Sequence, residues 1–431
     1  MAPADPDLLD DLRRALAGEV VVVLPRERDG AVEVVDPGRY DPAGTGRPHP
    51  ALVVFTSGST GAPKGVALSA AAITASGRAT ERFLSGPGRW YLTLPSNHIA
   101  GAQVLLRSLL AGTTPLVARA RFSAAEFTAD VERLRAGAGD SGDRERCPLY
   151  TSLVPTQLVR IMADPAAVRA AQAFDAVLLG GAAISPALLA SAEHAGIRIV
   201  RTYGMSETCG GCVYDGVPFD EVDIGLDAGR IVLSGAVVAD GYLRVDDAAG
   251  GLRLTALPDA DTGFGTAPDG RRSFLTSDLG RIEGGVLEVL GRADDVIITG
   301  GENVSPHAVE SALLAVLEPH GIVEVLVTAV PDAEWGEALV ALVRPGPHGP
   351  SGALGSAGAL DAVAGIGAEP AAGTGTDRLT EQVRALAAEH VARHALPRRV
   401  LTVEALPERS IGKPDRTAAR ALAARLLTDR G

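Results

Sequence analysis

Eleven consecutive residues, Phe55-Thr-Ser-Gly-Ser-Thr-Gly-Ala-Pro-Lys-Gly65, constrain the fold of this chain more than any other stretch. The apolar run Ala51 to Phe55 reads as a β-strand ending in them, and Ser69 to Leu84 as a following helix capped by Ser69. A loop of this kind between strand and helix is where a layered α/β sheet presents backbone N–H groups to an anion. Gly58, Gly61 and Gly65 let the backbone approach closely, Thr56, Ser57, Ser59 and Thr60 add hydroxyls, and Lys64 adds a compact positive charge. It is not a Walker A loop, because Gly65 follows the lysine and the glycine spacing differs. A flexible Gly/Ser turn is the plain alternative.

Short apolar runs continue to alternate with Ala-rich helical stretches through the first half. Glu19 to Leu24, Trp90 to Leu94, Pro115 to Ala118, Ala176 to Leu179 and Ile197 to Arg201 read as strands. Gln103 to Ala111, Ala124 to Arg135, Thr156 to Met162 and Pro186 to His194 read as helices between them. The alternation predicts a layered α/β domain. From about Asp223 strand-like pieces (Arg230 to Ser234, Ser273 to Thr276, Val286 to Leu290) follow one another without long helices, which predicts a small β subdomain. After Gly291 comes a compact α+β pattern: a helix from Pro306, strands from Val323 and Glu337, a helix from Asp377 and a strand from Arg399. Gly346 to Thr376 is mostly Gly, Ala, Pro and Ser, a composition that buries too little apolar surface to order itself, and reads as a mobile loop.

A length of 431 residues suits two or three domains, and 46% hydrophobic residues supply a large core. A formal net charge of −13 argues against a general nucleic-acid or anionic-membrane binder. There is no membrane-length apolar run, and the start, MAPADPDLLDDLRRALAG, is polar and acidic, unlike a secretory signal. Cys147, Cys209 and Cys212 make no disulfide framework, and Cys209-x-x-Cys212 lacks the second Cys/His pair of a zinc site. A cytoplasmic enzyme is the expectation; the oligomeric state is left open, a homo-oligomer included.

The loop TSGSTGAPKG resembles the signature of the adenylate-forming superfamily: acyl-CoA synthetases, luciferases and peptide-synthetase adenylation domains. Further segments resemble that family in the same order. Gly180-Gly181-Ala-Ala183 is similar to its adenine-side wall, and Tyr203-Gly204-Met-Ser-Glu207-Thr208 to the segment that meets adenine and the α-phosphate. The resemblance puts Glu207 near Mg²⁺, a partner suited to a carboxylate. It puts Thr208 on phosphate and Asp278, in Thr276-Ser-Asp-Leu-Gly280, on the ribose hydroxyls. In Gly291-Arg-Ala-Asp-Asp-Val296 it implies a nucleotide contact for Arg292 and a hinge at Asp294, and in Arg409-Ser-Ile-Gly-Lys-Pro414 it makes Lys413 the lysine that reaches the adenylation site. Gly300-Gly-Glu-Asn-Val-Ser-Pro306 is similar to the loop turned towards the site for thioester formation.

The implied fold is acyl-CoA synthetase-like: a large α/β domain with a β subdomain over 1–293, then a small mobile α+β domain over 294–431. The implied reactants are ATP, Mg²⁺, coenzyme A and a small carboxylate, and the implied product is an acyl-CoA thioester made through an acyl-adenylate.

Only about fifty residues precede the loop, a short N-terminal region that is similar to the actinobacterial o-succinylbenzoate–CoA ligases of menaquinone synthesis. Leu153-Val-Pro-Thr-Gln-Leu-Val-Arg160, YGMSETCGGCVY from Tyr203 to Tyr214, and Ile297-Ile-Thr-Gly-Gly-Glu-Asn303 carry that narrower resemblance. Such a substrate has a spectator carboxylate, and a buried charge demands a partner. Arg160 is the candidate, with a helix-surface arginine as the alternative. His98, in Leu94-Pro-Ser-Asn-His-Ile-Ala-Gly101, matches a position lining the acyl site and could gate or polarise the carboxylate; a structural histidine is the alternative. Ligases for other aryl or short-chain acids, carrier-protein-loading enzymes and a non-catalytic nucleotide-binding regulator remain the rival readings. The last is disfavoured by the presence of Lys64, Glu207, Asp278, Arg292 and Lys413 together.

Overall fold

A computed structural model describes residues 6–26, 30–56, 64–118, 122–136, 147–182, 184–260, 262–346, 375–410 and 413–428. The chain divides into two compact units, one of Met1–Gly181, Ser191–Thr276 and Gly280–Glu288, the other of Ala182–Ala190, Ser277–Leu279 and Val289–Gly431. The Gly346 to Thr376 loop lies, apart from its ends, outside the described residues.

The first unit opens with helix α1 (Pro6–Leu16) and strands β1 (Val21–Val23), β2 (Glu33–Val35), β3 (Tyr40–Asp41), β4 (Leu52–Thr56) and β5 (Lys64–Leu68), followed by α2 (Ala70–Phe83). Then come β6 (Arg89–Leu92), α3 (Ile99–Leu110), β7 (Leu116–Val117), α4 (Ala124–Ala136), β8 (Leu149–Leu153), α5 (Pro155–Met162), α6 (Pro165–Ala171), β9 (Ala176–Gly180), α7 (Pro186–His194) and β10 (Ile199–Met205). Strands β11 (Gly210–Tyr214) and β12 (Val217–Pro218) turn back from β10.

Strands β12-β11-β10-β9-β8-β6-β7 form one seven-stranded sheet whose β10, β9, β8, β6 and β7 are parallel. Its central strand, β9, is apolar on both faces, as a parallel strand covered by helices requires: Val177, Leu178 and Leu179 are all buried.

The chain continues through β13 (Val222–Asp227), β14 (Arg230–Gly235), β15 (Gly241–Ala248), β16 (Gly251–Ala256), β17 (Phe264–Thr266) and β18 (Arg272–Glu283). Strands β13-β14-β18-β17 build the expected β subdomain. The hairpin β15–β16 does not join it. It returns to the N-terminal strands and completes a second seven-stranded sheet, β2-β1-β4-β5-β15-β16-β3. Val21, Val23, Val53, Ala67, Leu243 and Leu254 share one core there.

The second unit takes over within β19 (Val286–Arg292). After the short hairpin β20 (Ile297–Thr299) and β21 (Glu302–Val304) it contains α8 (Pro306–Leu317), β22 (Ile322–Asp332), β23 (Gly336–Pro345), α9 (Gly375–Ala387), β24 (Arg399–Thr402), β25 (Glu408–Ser410), β26 (Lys413–Pro414) and α10 (Arg416–Thr428). Strands β22-β23-β24 make a three-stranded sheet. Alternation along β23 sends Leu339, Ala341 and Val343 into one core with Leu313 of α8 and Val383 of α9. Val340 and Leu342 face the other way, against Ala419 and Ala423 of α10.

Candidate active site

The signature loop joins two antiparallel strands, which corrects the expected strand-loop-helix. β4 and β5 pair from Leu52↔Leu68 to Thr56↔Lys64, and α2 begins only at Ala70, with Ser69 capping it through Ala72 N at 3.3 Å. Lys64-Gly-Val-Ala-Leu68 is an apolar strand too short, and too interrupted by glycine, to show a period in the sequence. Ser57, Gly58, Ser59, Thr60 and Gly61 lie outside the described residues. Thr56 and Lys64 are half-buried cross-strand partners at the mouth of the hairpin. Gly65 answers to packing: a Cβ there would come within 2.8 Å of Val53 Cγ1.

The second feature is the turn after β10. Gly204 packs its Cα against the returning strand, where a Cβ would lie 2.1 Å from Gly210 O. The short 3₁₀ turn Ser206–Thr208 follows, and Cys209 adopts a left-handed φ of 54°. Thr208 is fully buried, its hydroxyl accepting from Met205 N at 3.0 Å and reaching Gly210 O at 2.8 Å, so in this structure it locks the turn. Tyr203 precedes the bulge between Tyr203 and Gly204 and is half-buried. Cys209 and Cys212 are buried free thiols whose pKa values burial pushes up, Cys212 to about 12, and Cys147 is exposed.

Glu207 is only 8% exposed, and its Oε1 accepts the Tyr242 hydroxyl at 2.7 Å. Tyr242 lies opposite Val66 in the β5–β15 ladder, two residues from Lys64 along β5, and Lys64 Nζ stands 5.3 Å from the centre of its ring. One tyrosine therefore joins the lysine of the signature loop to the carboxylate of the β10 turn. Burial first, and the Glu207 charge second, raise its pKa, which keeps the phenol a donor at neutral pH.

The start of β15 is held from behind. Asp259 takes Arg47 at 2.6 Å and Arg272 at 2.7 Å, Arg272 also donates to Asp240 O at 3.0 Å, and a Cβ at Gly241 would run into Arg47 Nη1 at 2.2 Å. Sequence reasoning named none of these residues. Without an alignment, Asp240-Gly-Tyr242 carries no signal beyond a turn.

Gly180 and Gly181 end β9. A Cβ at Gly180 would meet Thr202 Oγ1 at 2.3 Å, and Gly181 takes a φ of 87°. His98 sits half-buried at the N-cap of α3, in extended conformation, just past β6. Arg160 is exposed in the last turn of α5.

The motif around Arg160 has a local structural purpose. Gln157 Oε1 accepts Val154 N at 3.1 Å, and its amide reaches Thr93 O at 3.3 Å, pinning the start of α5 to the end of β6. Among the described residues, Arg107 of α3 is the one lysine or arginine in the core. It donates to the Tyr214 hydroxyl at 3.2 Å and lies over Trp90 at 5.1 Å, with Nε unpartnered.

The remaining candidates fall in the second unit. Asp278 is half-buried in β18. Arg292 and Asp294 are exposed and pair with each other at 3.4 Å beside the turn Ala293–Asp295. Lys413 begins β26, whose backbone pairs with β25 through Ser410↔Lys413.

Among the described residues no three His, Cys, Asp or Glu side chains gather as a metal cluster. Glu207, a carboxylate at the β10 turn, is of the donor type that suits Mg²⁺, which is held by one or two carboxylates and by phosphate oxygens rather than by a protein cage. No described helix is long and apolar enough to cross a membrane.

With this geometry established, comparison with known proteins gives consistent results. The family description "AMP-binding enzyme" matches residues 6–253, and "AMP-binding enzyme C-terminal domain" matches 308–413. A probable 2-succinylbenzoate–CoA ligase of Mycobacterium tuberculosis is 40% identical over 95% of this chain and 94% of its own length. An indoleacetate–CoA ligase of Aromatoleum aromaticum is 31% identical over 87% of this chain and 68% of its own. Among solved structures, the o-succinylbenzoate CoA synthetase of Bacillus subtilis in complex with its acyl-adenylate intermediate superposes with a TM-score of 0.62. It covers 86% of this chain and 69% of that one at 23% identity, a likeness of fold.

Proposed function

The chain belongs to the AMP-binding enzyme family, and from that membership we propose that it ligates 2-succinylbenzoate to coenzyme A through an acyl-adenylate. The observation that supports this most is the 40% identity, along nearly the whole of both chains, to a relative named for that reaction. ATP and coenzyme A are cytoplasmic metabolites, so the enzyme works there, and its product belongs to menaquinone synthesis.

In the first half-reaction the aliphatic carboxylate attacks the α-phosphorus of ATP and pyrophosphate leaves. In the second, the coenzyme A sulfur attacks the acyl carbon, its proton is lost and AMP departs. The protein contributes position and fixed charge. Lys64 and the Thr56–Gly61 loop hold the phosphates, Gly181, Tyr203 and Gly204 flank the adenine, and Asp278 and Arg292 take the ribose and its surroundings.

Lys413 neutralises charge growing between carboxylate and phosphate, and the C-terminal domain, counted from Asp294, turns to exchange the two half-reactions. Glu207, kept in place by Tyr242, holds Mg²⁺, which when bound neutralises phosphate charge. Thr208 serves the phosphate by fixing the turn that carries Glu207. His98, at the N-cap of α3, lines the acyl side.

The test is mass spectrometry of products from enzyme, MgATP, coenzyme A and a panel of acids. A thioester made mainly from 2-succinylbenzoate supports the reading, and one made only from other acids sinks it. A thioester that forms with no carrier protein present and requires coenzyme A excludes carrier-protein loading. A second reading, a ligase for another aryl acid, has the exposure of Arg160 and the relative named indoleacetate–CoA ligase in its favour. Arg160→Ala decides between them. If Arg160 holds the spectator carboxylate, kcat/KM for 2-succinylbenzoate falls about tenfold to a hundredfold while a monocarboxylic analogue is unaffected, the size expected for one charge-assisted contact.

A further inference from the structure

Among the described residues of the second unit, Arg416, three residues past Lys413, makes four side-chain hydrogen bonds. Its Nε donates to Asp295 Oδ2 at 3.0 Å, Nη1 to Glu310 Oε1 at 2.6 Å and Nη2 to Glu310 Oε2 at 3.1 Å; Nη1 also reaches Val327 O at 2.8 Å. Glu310 in turn accepts the backbone N–H of Val327 at 2.8 Å. The arginine side chain is 21% exposed and that of Glu310 9%. A buried bidentate pair of this kind holds position closely, because the guanidinium fork fixes distance and plane together.

The network spans three elements. Asp295 belongs to the turn Ala293–Asp295, Glu310 to α8, and Arg416 opens α10. Only Pro414 and Asp415 separate Arg416 from Lys413. Pro414 has a fixed φ, and Asp415 caps α10 through Ala418 N at 3.0 Å while its own N–H donates to Pro407 O at 2.9 Å. The backbone at Lys413 is thus tied on one side to β25 and on the other, through Arg416, to the residue next to Asp294.

We propose that Arg416 is a positioning residue for adenylate formation, bridging Asp295 and Glu310 so that the strand bearing Lys413 and the turn bearing Asp294 move as one rigid piece. This rests on the roles given above to Lys413 and Asp294. When the domain turns, the lysine then arrives at a fixed place, not on a floppy C-terminal tail. The charge count names the informative variant. Two carboxylates face one guanidinium, so Asp295→Asn leaves the Arg416–Glu310 pair neutral and folded, whereas removing Arg416 strands a buried Glu310.

The experiment measures the half-reactions separately in the full-length Asp295→Asn enzyme: acid-dependent ATP–pyrophosphate exchange, and thioester formation from isolated acyl-adenylate. Exchange is expected to fall about tenfold in kcat with KM for ATP unchanged, the size of effect that slight misplacement of a catalytic group produces. Thioester formation and the thermal midpoint stay as in the parent, and Asp295→Glu recovers part of the loss. Unchanged exchange, or equal losses in both half-reactions, overturns the proposal. Lys413→Ala is the control for the reading beneath it: if that variant still exchanges pyrophosphate, the role given to Lys413 is what has failed.

Discussion

Tyr242 shows how much of a site can hang on one hydroxyl. It gives Glu207 a hydroxyl donor and gives Lys64 an aromatic face, so two charged side chains of the candidate site meet on a neutral one from a strand far along the chain. Tyr242→Phe keeps the ring and removes only the O–H. The nearly buried Glu207 Oε1 then loses a charge-assisted bond, a change of about 1.5–3 kcal/mol. With the carboxylate no longer held in place, the profile of rate against Mg²⁺ should shift to higher concentration. A profile that superposes on the parent's would detach Tyr242 from the site.

The β10–β11 hairpin carries its information in a glycine. With Gly210 O only 2.1 Å from where a Cβ would stand, Gly204→Ala must push the two strands apart at the turn holding Glu207. A loss of about 2–3 kcal/mol is expected, readable as a lower denaturant midpoint, together with lost activity. If the variant is as stable as the parent, the approach of the strands is looser than described.

Elements of this kind mark what the sequence could and could not reveal. Apolar runs of four or five residues placed β4, β6, β9 and β10, and the helical period placed α3, α4, α5 and α7, because each has one dominant pattern. Many elements escaped, among them α1, hidden in a charged N-terminus; β8, whose Leu149-Tyr-Thr-Ser-Leu153 looks half polar; and β5, hidden behind the loop it follows. The buried Thr151 in β8 explains its disguise, since its hydroxyl donates to Tyr91 O at 2.9 Å inside the sheet. Candidate residues were named where a contiguous motif held them. Tyr242 and Arg416 were not, because their partners lie distant in sequence and only folding brings them together.

Across the first unit, stability should track the carboxylate that clamps β15. Burial tends to raise the Asp259 pKa, but Arg272 and Arg47 outweigh it and hold the group below the usual carboxylate value. A depressed folded pKa means stability that is present above the unfolded value and lost as pH falls through the folded one. Asp259→Asn should therefore unfold more easily than the parent at neutral pH, with the difference closing as pH falls through the depressed folded value. A gap that persists in acid would assign the effect to packing instead.

The return of β15–β16 to the N-terminal sheet has a bearing on how this protein is made. As the chain leaves the ribosome, β4 and β5 emerge early, but the neighbour that covers the outer edge of β5 is encoded beyond the entire parallel sheet. A nascent chain therefore displays an unpaired, apolar strand edge from the completion of β5 until Gly241 to Leu243 are made, a template for joining other chains. Premature stops before Gly241 release a product that cannot close that edge, and such fragments belong to the quality-control machinery rather than to the soluble pool.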